Sequence, residues 1–148
     1  MLNHCETKCK TVIFTSNEVS CIKILRTVPQ CKDDFDFFTD GDSEGKVLVL
    51  GLNGGNIIGL NRKVRCFDAV KNGTPVNYNT VWLDIKLVTE AVKKKYPSII
   101  FAVIECTELT AYSDTIENAM KLDVIDPVKL ANSMVNLNCD HNFTQNEK

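Results

Sequence analysis

A long apolar run is missing from this chain of 148 residues. The longest, such as Ile99–Ile104, fall far short of the roughly 20 residues that span a bilayer. The sequence therefore predicts no membrane partner. A basic excess is missing too. Lys plus Arg number 17 against 19 Asp plus Glu, for a net charge of −2. Generic nucleic-acid and anionic-membrane binders need the opposite balance, so neither is expected as a partner. The opening residues, Met1-Leu2-Asn3-His4-Cys5, lack the apolar stretch of a signal peptide. The expected compartment is then reducing and cytoplasmic, and the seven cysteines are expected as free thiols.

Several motifs are absent as well. No Gly-Lys-Ser/Thr follows a glycine loop. Counting from Gly51, the first, third and sixth positions read Gly, Asn, Asn, so the dinucleotide fingerprint fails. The turn Gly51–Gly55 reads as a plain strand end rather than an anion cradle. An EF-hand beginning at Asp36 has Gly41 in place but Val47 where the terminal Glu belongs. The acidic, Phe-bearing stretch 33–44 reads as a solvated connection whose phenylalanines tuck under the core.

What is present is ordinary globular composition, 44% apolar and 24% charged. The length suits one domain with a real core. Thr11–Thr15, Lys46–Leu50, Ser98–Ile104 and Asp123–Ile125 read as strands. Ser98–Ile104 shows no alternation, which predicts burial on both faces. Between the strands, Val19, Ile22, Leu25 and Val28 fall three apart, on one face of a short helix. Val81, Ile85, Val88 and Val92 form a stripe capped by Asn79 or Thr80 and ended by Pro97. A helix over Tyr112–Met120 presents Tyr112, Ile116 and Ala119. Asp126-Pro127 starts a last helix with Val128, Ala131 and Val135. Residues 56–79 are harder to read, with a short helix around Ile57–Val64.

The alternation predicts a single small flavodoxin-like α/β domain, with a parallel four-stranded sheet and helices on both faces. It spans residues 11–137, between a polar segment 1–10 and a polar tail 138–148. Sites in such sheets lie beyond the carboxyl ends of the strands. Three loops qualify: Thr15-Ser16-Asn17, Gly51–Gly55 and Cys106-Thr107-Glu108. A thiol ahead of helix amides is expected to be stabilised as thiolate, which makes Cys106 the candidate base. Thr107 offers a hydroxyl and an amide to a carboxylate, and Glu108 can order the loop or meet an amine.

The run Glu105-Cys106-Thr107-Glu108-Leu109, then Tyr112, Val124-Ile125-Asp126-Pro127 and Leu130-Ala131-Asn132, resembles the second domain of the aspartate/glutamate/hydantoin racemase superfamily. The likeness is to the subgroup whose loop reads Glu-Cys-Thr-Asn, with a Val-Phe-Asp step before the last helix. It extends over residues 81–135 and more weakly over 11–55. The resemblance implies proton transfer without any cofactor or metal. Two thiols face opposite sides of an α-carbon next to a carboxylate; one removes the proton and the other returns it. It makes Cys106 a catalytic acid/base and Thr107 a carboxylate binder, with Thr15 a further candidate. Ser16, Asn17 and Glu108 complete the candidate substrate-binding set. The implied substrate is a small carboxylate or amino acid.

One departure stands out. The family pairs two such domains, each with a cysteine, and this chain has the length of one. A second thiol would come from a homodimer or from a second racemase-like domain. The alternative is a non-catalytic module that binds a small carboxylate or a protein partner. Zinc held by His4, Cys5, Cys9, Cys139 and His141 is a weaker reading, resting on permissive spacing alone.

Overall fold

A computed structural model describes residues 8–29, 36–41, 45–54, 57–60 and 64–143, with side chains to residue 136. Its sheet strands are β1 (Thr11–Thr15), β2 (Phe37–Phe38), β3 (Val47–Gly51), β4 (Phe101–Ile104) and β5 (Val124–Ile125). The helices are α1 (Glu18–Leu25), α2 (Cys66–Asn72), α3 (Tyr78–Lys95), α4 (Ser113–Met120) and α5 (Pro127–Phe143), with a 3-10 turn over Thr107–Tyr112. All pairings are parallel, in the order β2-β3-β1-β4-β5. The fold is α/β with a parallel sheet.

The sheet has five strands rather than the four expected. The extra one, β2, arises inside the acidic stretch. Phe38 is buried and meets Tyr96 edge-on at 5.8 Å, so ring packing rather than periodicity places it. Two consecutive residues are too few to show a period of two. Asp40, just beyond, accepts from Lys95 at 2.6 Å.

One face of the sheet carries Val12, Phe14, Leu48, Leu50, Ala102, Ile104 and Val124, which join one core with Val81, Ile85, Val88 and Val92 of α3 and Ile116 and Met120 of α4. Each buried aliphatic of that α3 stripe is worth about 1.5–3 kcal/mol. The stripe falls where its spacing predicts. The helix begins earlier than expected, three residues before Val81, so its cap is not Asn79 or Thr80, which lie within it, but Asn77, whose side chain accepts from Thr80 N at 3.1 Å. Asp84 is also buried on α3. It is bound in two-pronged fashion by Arg65, from Nε at 2.8 Å and Nη2 at 2.9 Å. That pair ties the start of α2 to α3.

The other face carries Thr11, Ile13, Val47, Val49, Phe101, Val103 and Ile125, aligned by the register. The chain leaves β1 toward β3, then crosses back to β4 and on to β5. With right-handed crossovers, that reversal puts α1 on this face and α3 and α4 on the other. Val47 and Val49, beside α1, are buried. Phe101 is 54% exposed and Ile125 49% exposed. The expectation that the fourth strand is buried on both faces is therefore overturned. Burial alternates along β4, and Ile99 and Ile100 lie ahead of it rather than within it.

Smaller departures have local causes. The buried residue of α1 is Cys21, while Val19, on the same helix, is exposed, and Val28 lies beyond the helix end at Leu25 and is exposed as well. Residues 57–60 form turns, and the helix in this region is instead α2. The polar segment 1–10 ends in a packed Cys9, whose carbonyl accepts from Ser98 Oγ at 2.8 Å. Asp126 caps α5, accepting from Lys129 N at 2.8 Å, as the Asp-Pro pair predicts. That helix runs to Phe143, well into the supposed tail, and Val128, Leu130, Met134 and Val135 on it are all exposed.

Gly51 ends β3 for a steric reason. The Glu18 carboxylate, from the first turn of α1, occupies the place a Cβ at position 51 would take. The following turn is sewn to the β1 loop: Leu52 N donates to Thr15 O at 2.9 Å, and Asn53 N to Ser16 O at 3.3 Å. A carboxylate against Gly51 makes this turn hostile to an anion, consistent with the reading of Gly51–Gly54 as a strand end. Gly55 lies outside the described residues.

Candidate active site

β1 and β4 are neighbours whose following helices depart in opposite directions. Their carboxyl ends thus frame the topological switch point, where such sheets bind ligands. Thr15-Ser16-Asn17 leaves one strand there, and Glu105-Cys106-Thr107-Glu108 leaves the other. The sheet register holds them together, since Phe14 pairs with Ile104 and Glu105 N donates to Phe14 O at 2.9 Å.

Two linked carboxylate contacts define the site. Thr15 is 2% exposed, and its Oγ1 donates to Glu105 Oε2 at 2.7 Å, across 90 residues of sequence. Cys106 is 6% exposed, and its Sγ donates to Glu108 Oε2 at 2.6 Å. Thr107 Oγ1 donates to the same oxygen at 3.3 Å. Ser16 contributes its carbonyl to Asn53. Asn17 caps α1, its Oδ1 accepting from Ser20 N at 2.9 Å. All six candidate residues therefore stand at one edge of the sheet. Thr15 and Asn17 already have internal partners there.

Electrostatics reverse one expectation. Burial first, and then the hydrogen bond to Glu108, push the Cys106 thiol up to about 12. The thiol is therefore protonated at neutral pH and is not a dipole-stabilised thiolate. The cause is local. Cys106 leads into a 3-10 turn, and the Glu108 amide there lowers the thiol, but burial and the Glu108 carboxylate bond outweigh it. Glu108 itself is held below the usual carboxylate range, chiefly by the Cys106 thiol. The resting pair is a neutral thiol donating to a charged carboxylate.

Two further thiols lie near these carboxylates, and neither was expected to have a role. Burial raises Cys21, and Glu105 adds to this, while a hydrogen bond with Thr15 opposes it. Burial raises Cys66 to about 11, with Glu108 and Asp84 contributing. Cys21 had a legible signal: it lies on the first turns of a helix that starts where β1 ends. Cys66 had none, because nothing in residues 56–65 announces α2. Among the described residues, Cys9, Cys21, Cys66 and Cys106 are free thiols. Among the described residues, no three His, Cys, Asp or Glu gather where a metal could sit. Of the zinc candidates, His4 and Cys5 lie outside the described residues, as do the side chains of Cys139 and His141. No helix among the described residues is long and apolar enough to cross a membrane.

Fold and site together define an α/β protein with a thiol–carboxylate pair at the switch point of a parallel sheet. Among curated proteins, the chain is similar to dimethylsulfoniopropionate lyase 5 of Emiliania huxleyi (strain CCMP1516), 29% identical over 75 residues. The match takes in 51% of this chain but only 15% of that protein. No protein-family model matches the chain, and no solved structure matches it.

Proposed function

We propose that this chain is a racemase-like, flavodoxin-like proton-transfer domain, acting without a cofactor on the α-carbon of a small carboxylate through Cys106. The observation that carries this reading is the Cys106 Sγ–Glu108 Oε2 bond of 2.6 Å at the switch point. A thiol raised to about 12 is a poor base at rest. It becomes one when a cation enters beside Glu105. The cation offsets the charge part of that rise, burial remaining its larger cause, while Glu108 takes the thiol proton and the thiolate takes the α-proton. Two carboxylates at the rim therefore favour a zwitterion, carrying a carboxylate at one end and an ammonium or sulfonium at the other. Thr107 offers its hydroxyl and amide to the substrate carboxylate.

The number of thiols bears on the outcome. Inversion needs a proton donor on the opposite face, which this reading leaves to a second domain or copy. Elimination needs one base only. From a β-sulfonium carboxylate, the α-proton goes to the thiolate and the C–H electron pair becomes the double bond. The sulfonium leaves as a neutral sulfide. The relative's name supports that branch, and the resemblance to racemases supports proton transfer in general.

The test uses the purified chain in deuterated water with dimethylsulfoniopropionate, aspartate and glutamate in turn. Proton NMR follows α-hydrogen exchange, and headspace analysis follows dimethyl sulfide. The expected result is exchange or elimination that disappears in Cys106→Ala and falls at least tenfold in Glu108→Gln. Turnover that survives Cys106→Ala overturns the assignment of the base. Binding of these acids with neither exchange nor elimination favours the non-catalytic module instead.

A further inference from the structure

The last helix and the β4–β5 end of the sheet's far side are both apolar and, among the described residues, both uncovered. On α5, Val128, Ala131 and Val135 share one stripe, and Leu130 and Met134 lie beside it. Together they form an apolar arc about half the circumference wide, opposite Lys129, Asn132, Ser133 and Asn136. Leu130 is 55% exposed and Met134 58% exposed. On the sheet, Phe101 and Ile125 are exposed, and Val103 and Ile13, in register with Ile125, are only half-buried. Amphipathic helices are stable in water mainly through burying that face.

The helix cannot cover its own sheet. Asp126 fixes its first turn through the cap bond, and Lys129 Nζ pairs with Glu117 of α4 and approaches Asp114 at 3.9 Å. Helix α4 packs on the opposite side of the sheet from Phe101. Folding α5 back over the sheet edge would break both contacts to α4. A second copy faces no such restraint.

We infer that two copies of this chain associate by reciprocal exchange, the α5 arc of each covering the Phe101–Val103–Ile125 face of the other. Helix and face are complementary within one sequence, so a two-fold axis satisfies both at once. The helix has 17 residues and is about 26 Å long, enough to lie across three strands. Nine apolar side chains, five from the helix and four from the sheet, meet in each of two equivalent contacts. That covers roughly 1,000–1,500 Å² in total, the size of a standard stable interface.

Sedimentation equilibrium of the full chain, from 1 to 100 µM, tests this. The monomer is 16.6 kDa. The expected result is twice that mass. Met134→Glu and Phe101→Glu should each shift the dissociation constant at least a hundredfold toward monomer. Met134 is 58% exposed, so Met134→Glu leaves the fold intact, and far-UV circular dichroism checks this. It carries the test alone if Phe101→Glu fails to fold. A wild-type monomer at 100 µM overturns the inference and leaves the face to a different domain. A dimer indifferent to Met134→Glu also overturns it, because the interface then lies elsewhere.

Discussion

Cys106 should be among the slowest thiols of this chain near neutral pH. Its thiol is raised from 9.0 to about 12. At pH 7–8 that lowers the thiolate fraction about a thousandfold relative to an ordinary cysteine. The thiolate that does form is intrinsically more nucleophilic, by about 16- to 30-fold for a Brønsted coefficient of 0.4–0.5. The two effects leave Cys106 about 30- to 60-fold slower than a free peptide thiol toward a small disulfide, before burial slows it further. Replacing Glu108 by Gln removes the charge but keeps an oxygen acceptor and leaves the burial, which is the larger cause. The rate at Cys106 should therefore recover only in part, by roughly tenfold. The assay is timed exchange with glutathione disulfide at pH 6–10, each cysteine read by peptide mass spectrometry. The wild-type profile should still be rising at pH 10. A Cys106 rate that levels off below pH 8, or matches the free peptide at pH 7, would refute the account of a neutral thiol held by Glu108.

Further outcomes follow from other contacts. Arg65→Ala leaves the Asp84 carboxylate buried without its two-pronged partner. It should lower stability by up to about 3 kcal/mol in urea melts, the half-exposed Arg65 keeping the loss below that of a fully buried pair. Ile104→Asp puts a charge into the core between β1 and β5 and should cost more than about 4 kcal/mol, read by the same melts. Burial alone would raise the Asp126 carboxyl, but the Lys129 and Val128 amides and the Lys129 ammonium outweigh it and hold the group low. A depressed carboxyl stabilises the fold above the ordinary Asp range and loses that contribution as pH falls through its folded value. Asp126→Ala should cost about 1 kcal/mol at pH 7 and progressively less in acid. An equal cost at pH 7 and pH 2.5 would contradict this.

The sequence was most legible where periodicity and capping act together. Four valine and isoleucine positions placed α3 on the core, and Asp126-Pro127 placed the start of α5. The switch-point loops followed from strand order alone, which is why Thr15 and Cys106 could be named in advance. Burial on the second face was not legible, because a run such as Ile99–Ile104 looks the same whether one or both sides are covered. Here the covering element is tied to α4 and is absent from that face. The thiol's protonation was misjudged for a related reason. A helix was foreseen after Cys106, but neither its 3-10 opening nor the direction of the Glu108 side chain can be read from letters. α2 and β2 are short, and each is fixed by a tertiary contact, Arg65 to Asp84 and Phe38 to Tyr96.

The closeness of Glu18 to Gly51 has an evolutionary consequence. The two positions, 33 residues apart, share a single volume. A substitution that adds a Cβ at 51 is tolerated only if the side chain at 18 shortens or turns away. In homologues, a long acid at the first position should therefore coincide with glycine at the second, and larger residues at 51 with small ones at 18. Such covariation would mark the lineage of this sheet even where the Cys-Thr-Glu loop has been lost.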